Sequence, residues 1–261
     1  MIPCLRAVSF TKVLSTGRTQ PFLAVCEEES GTQHEIVVKT RAGMESAEDG
    51  LICELMAALL AKDLDIPVAE PVLVDIEADF AQAIPDPAMS KMAQGSLGLN
   101  YGSRFLGPGW VTWPPGRGIP LAVLPIAADI FAFDVLIQNP DRRRANPNLL
   151  RRGDDLVVYD HETAFSFLYS IVPGQYPWEG KGIDYIREHV FFNALRGKAL
   201  SWGRFVGALE AIDKRRLQEY SNSVPADWRK GKNTVERILE YLGKSTANVR
   251  AMIRRIGAVL Q

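Results

Sequence analysis

Two clusters of turn residues, Gly107-Pro108-Gly109 and Pro114-Pro115-Gly116, split the chain into parts with different periodicity. Glycine and proline stacked this densely stop regular structure, and here they mark the strongest change in composition, after which the chain becomes mostly helical. Before the clusters, residues 5–13 and 22–28 are β-type runs joined by a polar loop with one glycine and a closing proline, which predicts a hairpin. Ser30-Gly31-Thr32 makes a second turn, and Glu35-Ile36-Val37-Val38-Lys39 a third strand that ends on a lysine. In residues 46–64, Leu51, Leu55, Ala58 and Leu59 fall at three- and four-residue steps, which predicts a helix with Ser46 as N-cap and Ile66-Pro67 as its stop. Residues 71–76 read as a fourth strand, and residues 79–102, with two prolines and three glycines, as loop or weak helix. After the clusters the pattern predicts a buried helix over 126–138 and short strands at 149–150 and 156–159 around the turn Arg152-Gly153-Asp154-Asp155. Helices are expected at 183–195, 202–220, 233–242 and 246–260, with Ser201 and Ser245 as caps. A strand-rich first part and a helical second part give an α+β chain with its boundary near Gly107, that is, units of residues 1–106 and 107–261.

The 261 residues are 47% hydrophobic and 23% charged, enough to bury a sizeable core. A formal net charge of -1 provides no overall positive field for nucleic acid or an anionic membrane. The longest apolar run, residues 119–137, carries Asp129 and Asp134, and one central Asp costs about 2.5–3.5 kcal/mol in a bilayer, so a buried helix is expected there. Cys4, Cys26 and Cys53 are odd in number, widely spaced and without a C-x-x-C pair, as expected of reduced thiols in the cytoplasm.

The chemistry-bearing residues concentrate in 131–165. Asp141 lies on Asn139-Pro140-Asp141-Arg142, Asn146 follows five residues later, and Asp160 ends the strand at 156–159. A phosphoryl acceptor needs a carboxylate to orient its hydroxyl and take the proton, and Mg²⁺ needs hard oxygen ligands such as an Asn carbonyl and an Asp carboxylate. Read alone, Asn139-Pro140-Asp141 is equally a turn with Asx capping, and Asp160 a strand end meeting solvent. The hairpin turn at Arg152–Asp155 can return Asp160 to the Asp141 loop, which joins the three into one site. Lys39 at its strand end can neutralise nucleotide phosphates if a helical glutamate fixes it; Glu54 sits among apolar positions and should face inward, with Glu45 and Glu48 as competitors. Ser15, Thr16, Gly17, Arg18 and Thr19 form the candidate phosphate cover, although the chain contains neither G-x-G-x-x-G nor G-x-x-x-x-G-K-[ST]. His161 is expected to hold the loop by hydrogen bonding. Arg142, Arg143, Arg144, Arg151 and Arg152 could attract an anionic substrate or nucleic acid but are read first as a solvated loop or as internal partners of Asp154 and Asp155, and the five tryptophans as packing residues.

The order of these parts, from polar loop through strand lysine and helical glutamate to N-x-D-R-x-x-x-N and a strand ending in Asp-His, resembles the HipA-like kinases. That family belongs to the protein-kinase-like superfamily, which also includes the phosphatidylinositol kinases. The resemblance implies a bilobal fold, with a small antiparallel sheet and one helix before Gly107 and a mostly helical lobe after it. It makes Asp141 the catalytic aspartate, Asn146 and Asp160 the Mg²⁺ ligands, Lys39 the ATP-phosphate-binding lysine and Glu54 its partner, with Phe105 and Leu106 as the hinge facing adenine. It also implies Ser/Thr protein phosphorylation, autophosphorylation on Ser15, Thr16 or Thr19, and a DNA-binding antitoxin partner. An ATP-sensing pseudokinase and a kinase of small molecules or lipids stand as alternatives. Two features depart from the family: Arg143 stands where a His is usual, and the phosphate loop has a single glycine.

Overall fold

The computed structural model describes residues 2–14, 19–114, 116 and 118–261. Strands β1 (Cys4–Val13), β2 (Phe22–Glu27) and β3 (Gln33–Lys39) form a meander; β4 (Pro71–Ile76) and β5 (Gly98–Arg104) complete a closed sheet in the order β1-β2-β3-β5-β4. The expected antiparallel sheet is corrected at one seam. Cys4, Leu5 and Arg6 pair in parallel with Leu73, Val74 and Asp75, which is possible because a long crossover separates the two strands. Closure leaves little interior room: a Cβ at Gly102 of β5 would lie 2.7 Å from methyls of both Ile36 and Val74, so only glycine fits.

This glycine explains the main miss in the first part of the chain. Residues 79–102, expected as loop or weak helix, hold helices α2 (Ala78–Ala83) and α3 (Pro87–Gln94) and then run into strand β5, which the expectation lacked. Asp86 caps α3 by accepting from the amides of Ala88 and Met89, at 2.9 and 3.0 Å. The two helices plug the barrel, where Phe80, Ile84 and Met89 join Leu5, Phe22, Ile36 and Val74 in one apolar cluster.

A second, larger cluster lies outside the barrel and runs across residue 107. Helix α1 (Glu48–Asp63) belongs to it, with every residue from Gly50 to Ala61 buried, as a helix apolar on all sides must be. Its N-cap is Ala47, not Ser46; the Ser46 side chain bonds Tyr169 instead. Helix α4 (Leu124–Leu136) is also buried and accommodates Asp129 through Arg204 and Asp134 through Arg142. After the short strand β6 (Val111–Thr112), β7 (Leu149–Arg152) and β8 (Asp155–Val158) form the expected hairpin.

The helical remainder is divided differently from expectation. The helix expected over 183–195 is a 3-10 turn (Asp184–Glu188) followed by α5 (Phe192–Leu195), parted where His189 turns its ring inward to Asp134. That expected over 202–220 breaks into α6 (Gly203–Glu210) and α7 (Lys214–Ser223), because Asp213 caps a new helix by accepting from Arg216 N at 2.7 Å. Ser201 does not cap α6, whose N-cap is Trp202. The last two expected helices are one, α8 (Thr234–Leu260); Ser245 lies inside it with its hydroxyl on the Tyr241 carbonyl, 2.9 Å away. Among the described residues no helix is long and apolar enough to cross a membrane.

Candidate active site

Strand β3 delivers Lys39 to the edge of the barrel opposite Tyr101 of β5, and α1 places Glu54 beneath it. Lys39 Nζ contacts Glu54 Oε1 and reaches Asp160 Oδ1 at 2.8 Å. Of the competitors, Glu48 pairs with Arg41 and Lys232 instead. Burial alone would push the Glu54 carboxyl up, but the adjacent ammonium more than reverses this and holds it at about 2. Burial likewise works against the charge on Lys39, and the two carboxylates overcome it and hold its pKa above the ordinary value. Lys39 and Glu54 therefore form a charged pair within the trio at neutral pH. Its exposure is graded, with side-chain values of 2% at Glu54, 9% at Lys39 and 30% at Asp160, so it opens to solvent on the Asp160 side.

The Asp141 loop starts where α4 ends. Gln138 turns with φ 47°, and Asn139 is buried, donating to Asp134 Oδ1 at 2.9 Å while accepting from Asp141 N at 3.1 Å. The Asx turn and the functional loop are thus the same structure. Asp141 Oδ2 accepts from Asn146 Nδ2 at 2.8 Å and from Asn148 Nδ2 at 3.1 Å, and Oδ1 pairs with Arg143 at 2.9 Å.

Arg142 is the loop's anchor, contrary to its reading as a solvated residue or a partner of Asp154 and Asp155. It is 1% exposed, grips Asp134 with Nε at 2.5 Å and Nη2 at 3.2 Å, and directs Nη1 to the carbonyls of Asn148 and Tyr159. Tyr159 N in turn donates to the Asn148 carbonyl at 3.1 Å. One guanidinium thereby ties the Asp141 loop to the backbone next to Asp160. The other arginines also find partners away from Asp154 and Asp155: Arg144 bonds Glu188, Arg151 the Gly153 carbonyl, and Arg152 lies over the Trp110 ring. Burial pushes the Asp134 carboxyl up, and Arg142 and His189 bring it down to about 2.

Backbone strain is concentrated here. Of seven non-glycine residues with positive φ among the described residues, Gln138, Asn148, Asp160 and Phe165 lie within this one segment. Asp160 at φ 61° turns its carboxylate from the strand direction toward Lys39. His161 donates its backbone N–H to Glu54 Oε1 at 3.0 Å and stacks its ring edge-on to Phe133, in the holding role expected of it.

For the cofactor, Asp160 Oδ2 and Asn146 Oδ1 remain as hard-oxygen donors once Lys39 and Asp141 take their shares. No group of three or more Asp, Glu, His or Cys suited to a metal occurs among the described residues. That donor set fits Mg²⁺, which binds through one or two protein oxygens and completes its shell with phosphates and water. Of the candidate phosphate cover, residues Ser15, Thr16, Gly17 and Arg18 lie outside the described residues. Thr19 is described: a Cβ on Gly43 would be 2.7 Å from its carbonyl oxygen, so the loop's end lies hard against the turn that follows Lys39. Phe105 N donates to the Glu35 carbonyl at 2.9 Å, which removes it from the backbone groups expected to face adenine.

Sequence reasoning missed Asn148, Asp134 and His189. Asp134 had a signal, a carboxylate in the middle of an apolar helix that burial would oblige to find a cation.

The sequence profile of the HipA-like kinases matches residues 7–249. No curated protein matches the chain. Among solved structures, the Helicobacter pylori proinflammatory kinase CtkA aligns over 100% of both chains at 13% identity with a TM-score of 0.55. A Neurospora crassa complex of PAN2 with the PAN3 pseudokinase aligns over 95% of this chain and 62% of its own, at 13% identity and a TM-score of 0.31. The mixed α+β fold is similar to that of a kinase, the profile spans nearly the whole sequence, and the chain belongs to the HipA-like kinase family.

Proposed function

We propose that the protein is an ATP- and Mg²⁺-dependent phosphotransferase that acts on a Ser or Thr hydroxyl of a protein. The observation that carries this reading is the Lys39 ammonium held between buried Glu54 and half-open Asp160, a cation fixed where phosphate oxygens must approach. In this reading residues 1–106 and 107–261 form two lobes, with the nucleotide between them and Phe105 and Leu106 at the join. Asp141 accepts the proton as the acceptor oxygen attacks the γ-phosphorus and the bond to the departing ADP breaks. Lys39 orients and neutralises the phosphates, while Glu54 keeps its ammonium in place. Asn146 and Asp160 would hold Mg²⁺, which supplies charge neutralisation on the phosphates. Self-phosphorylation at Ser15, Thr16 or Thr19, and control by an antitoxin-like partner, belong to the same proposal.

A second reading, an ATP sensor without transfer, draws on one observation: both carboxylate oxygens of Asp141 are engaged, by Arg143 on one side and by Asn146 and Asn148 on the other. Incubation with ATP and Mg²⁺, followed by intact mass and ADP release, separates the two. The wild type should gain phosphate or turn over ATP. Asp141→Asn should lose about 10²–10⁴-fold in rate while keeping its thermal stabilisation by nucleotide. Transfer retained by Asp141→Asn rejects the assignment, and wild-type stabilisation without turnover selects the sensor.

A further inference from the structure

Helix α1 carries Glu54, yet its N-terminal end has no cap of its own. Ala47 at the N-cap offers no side-chain acceptor and sits at φ 50°, ψ -123°, a conformation an alanine adopts only under constraint. The segment that leads into α1 is held from a distant part of the chain. Glu162, 6% exposed, accepts the Glu45 backbone N–H on Oε1 at 2.5 Å. It rests on Gly50, where an added Cβ would be 3.1 Å from Glu162 Cγ, so a side chain at position 50 would push the two apart. Asp160 and His161, the two preceding residues, bind Lys39 and Glu54. Three consecutive residues thus hold the lysine, the glutamate and the start of the helix that carries the glutamate. A carboxylate beside the first turn also complements the helix dipole.

We propose that Glu162 is a positioning residue, an external brace that holds the Glu45 lead-in and the Gly50 turn of α1 on the Asp160 segment and makes the Lys39–Glu54 pair depend on that segment's conformation. It acts through α1 and touches neither nucleotide nor acceptor. The proposal rests on the phosphotransferase reading for its effect on rate, but its structural half can be read without nucleotide. Cys53 lies on α1 next to Glu54 and is fully buried, Cys26 is fully buried inside the barrel, and Cys4 is exposed. In a Cys4→Ser background, thiol labelling of Cys53 therefore reports release of α1, and Cys26 serves as the internal reference.

Glu162→Ala should label Cys53 about tenfold or more faster while leaving Cys26 protected, and Glu162→Gln, which keeps the acceptor oxygen, should return labelling to within about threefold of wild type. In an active preparation kcat/KM for ATP should follow the same order, with Glu162→Gln rescuing what Glu162→Ala loses. Unchanged Cys53 labelling in Glu162→Ala overturns the proposal, and so does parallel acceleration at Cys26, the mark of general loosening. Absence of phosphoryl transfer in the wild type, with selective Cys53 release in Glu162→Ala, would reject the phosphotransferase reading and retain the external brace.

Discussion

Two buried ion networks lie side by side, and they are built for opposite purposes. Arg142, Asp134 and His189 are closed off, with side-chain exposures of 0%, 1% and 3%, and every strong contact is made within the protein. Lys39, Glu54 and Asp160 grade from buried to 30% exposed. The first uses a planar guanidinium whose fork engages Asp134 and two backbone carbonyls at once, a rigid clasp. The second uses an ammonium, a compact charge that can turn toward an incoming anion without leaving its glutamate. In the phosphotransferase reading the chemistry would belong to the incompletely closed network, while the closed one fixes the Asp141 loop.

The sharpest way to break this comparison is to remove one carboxylate from each network. Asp134→Leu strands a buried guanidinium and should cost about 3–5 kcal/mol in urea unfolding. Glu54→Leu leaves Lys39 with Asp160 and an opening to water, so its cost should be smaller, about 1–3 kcal/mol, while its loss of phosphoryl transfer should be the larger of the two relative to the fraction folded. Equal stability costs would mean that the two networks are equally closed.

Acid sharpens the same contrast. Both Asp134 and Glu54 have folded values held down to about 2, so their stabilisation is complete above the unfolded values of 3.8 and 4.5 and is lost as pH falls from there toward 2. His189 adds an earlier loss to the Arg142 network alone. Its Nδ1 accepts from Phe191 N at 3.1 Å and its Nε2 faces Asp134 at 3.1 Å, which selects the neutral ring; burial lowers its pKa further, against the pull of Asp134. The unfolded chain therefore takes up this proton first, and stability should start to fall below about pH 6.5. Unfolding free energies measured from pH 7 to 3 should show two phases, and His189→Asn should remove the upper one.

The two networks also differed in how far the sequence revealed them. Lys39, Glu54, Asp141, Asn146 and Asp160 stood out as candidates because their residue types suit phosphoryl transfer and their order resembles that of the HipA-like kinases. The closed network joins α4, the Asp141 loop and residue 189, and no local spacing encodes that meeting. Similar logic governs the fold. The early hairpin and α1 follow local periodicity, whereas β5 escaped notice because packing against Ile36 and Val74 imposes a glycine on a strand that should otherwise be β-branched. Gly243 and Ser245 resemble a break in α8, but burial of Leu242 and Val249 on one face carries the helix through them.

The smallest expected effect lies at Arg143, where the family usually has His. Its guanidinium is 54% exposed and pairs with Asp141 Oδ1 at 2.9 Å, on the rim of the half-open site. An exposed pair of this kind contributes about 1 kcal/mol or less, so Arg143→Ala should barely move the urea midpoint. It would, however, uncover the one Asp141 oxygen that neither Asn146 nor Asn148 engages. If an acceptor hydroxyl must displace this arginine to reach Asp141, Arg143→Ala should lower KM for the acceptor with little change in KM for ATP. A rise in acceptor KM instead would make Arg143 part of the acceptor's binding surface, and an unchanged value would leave it outside the transfer step.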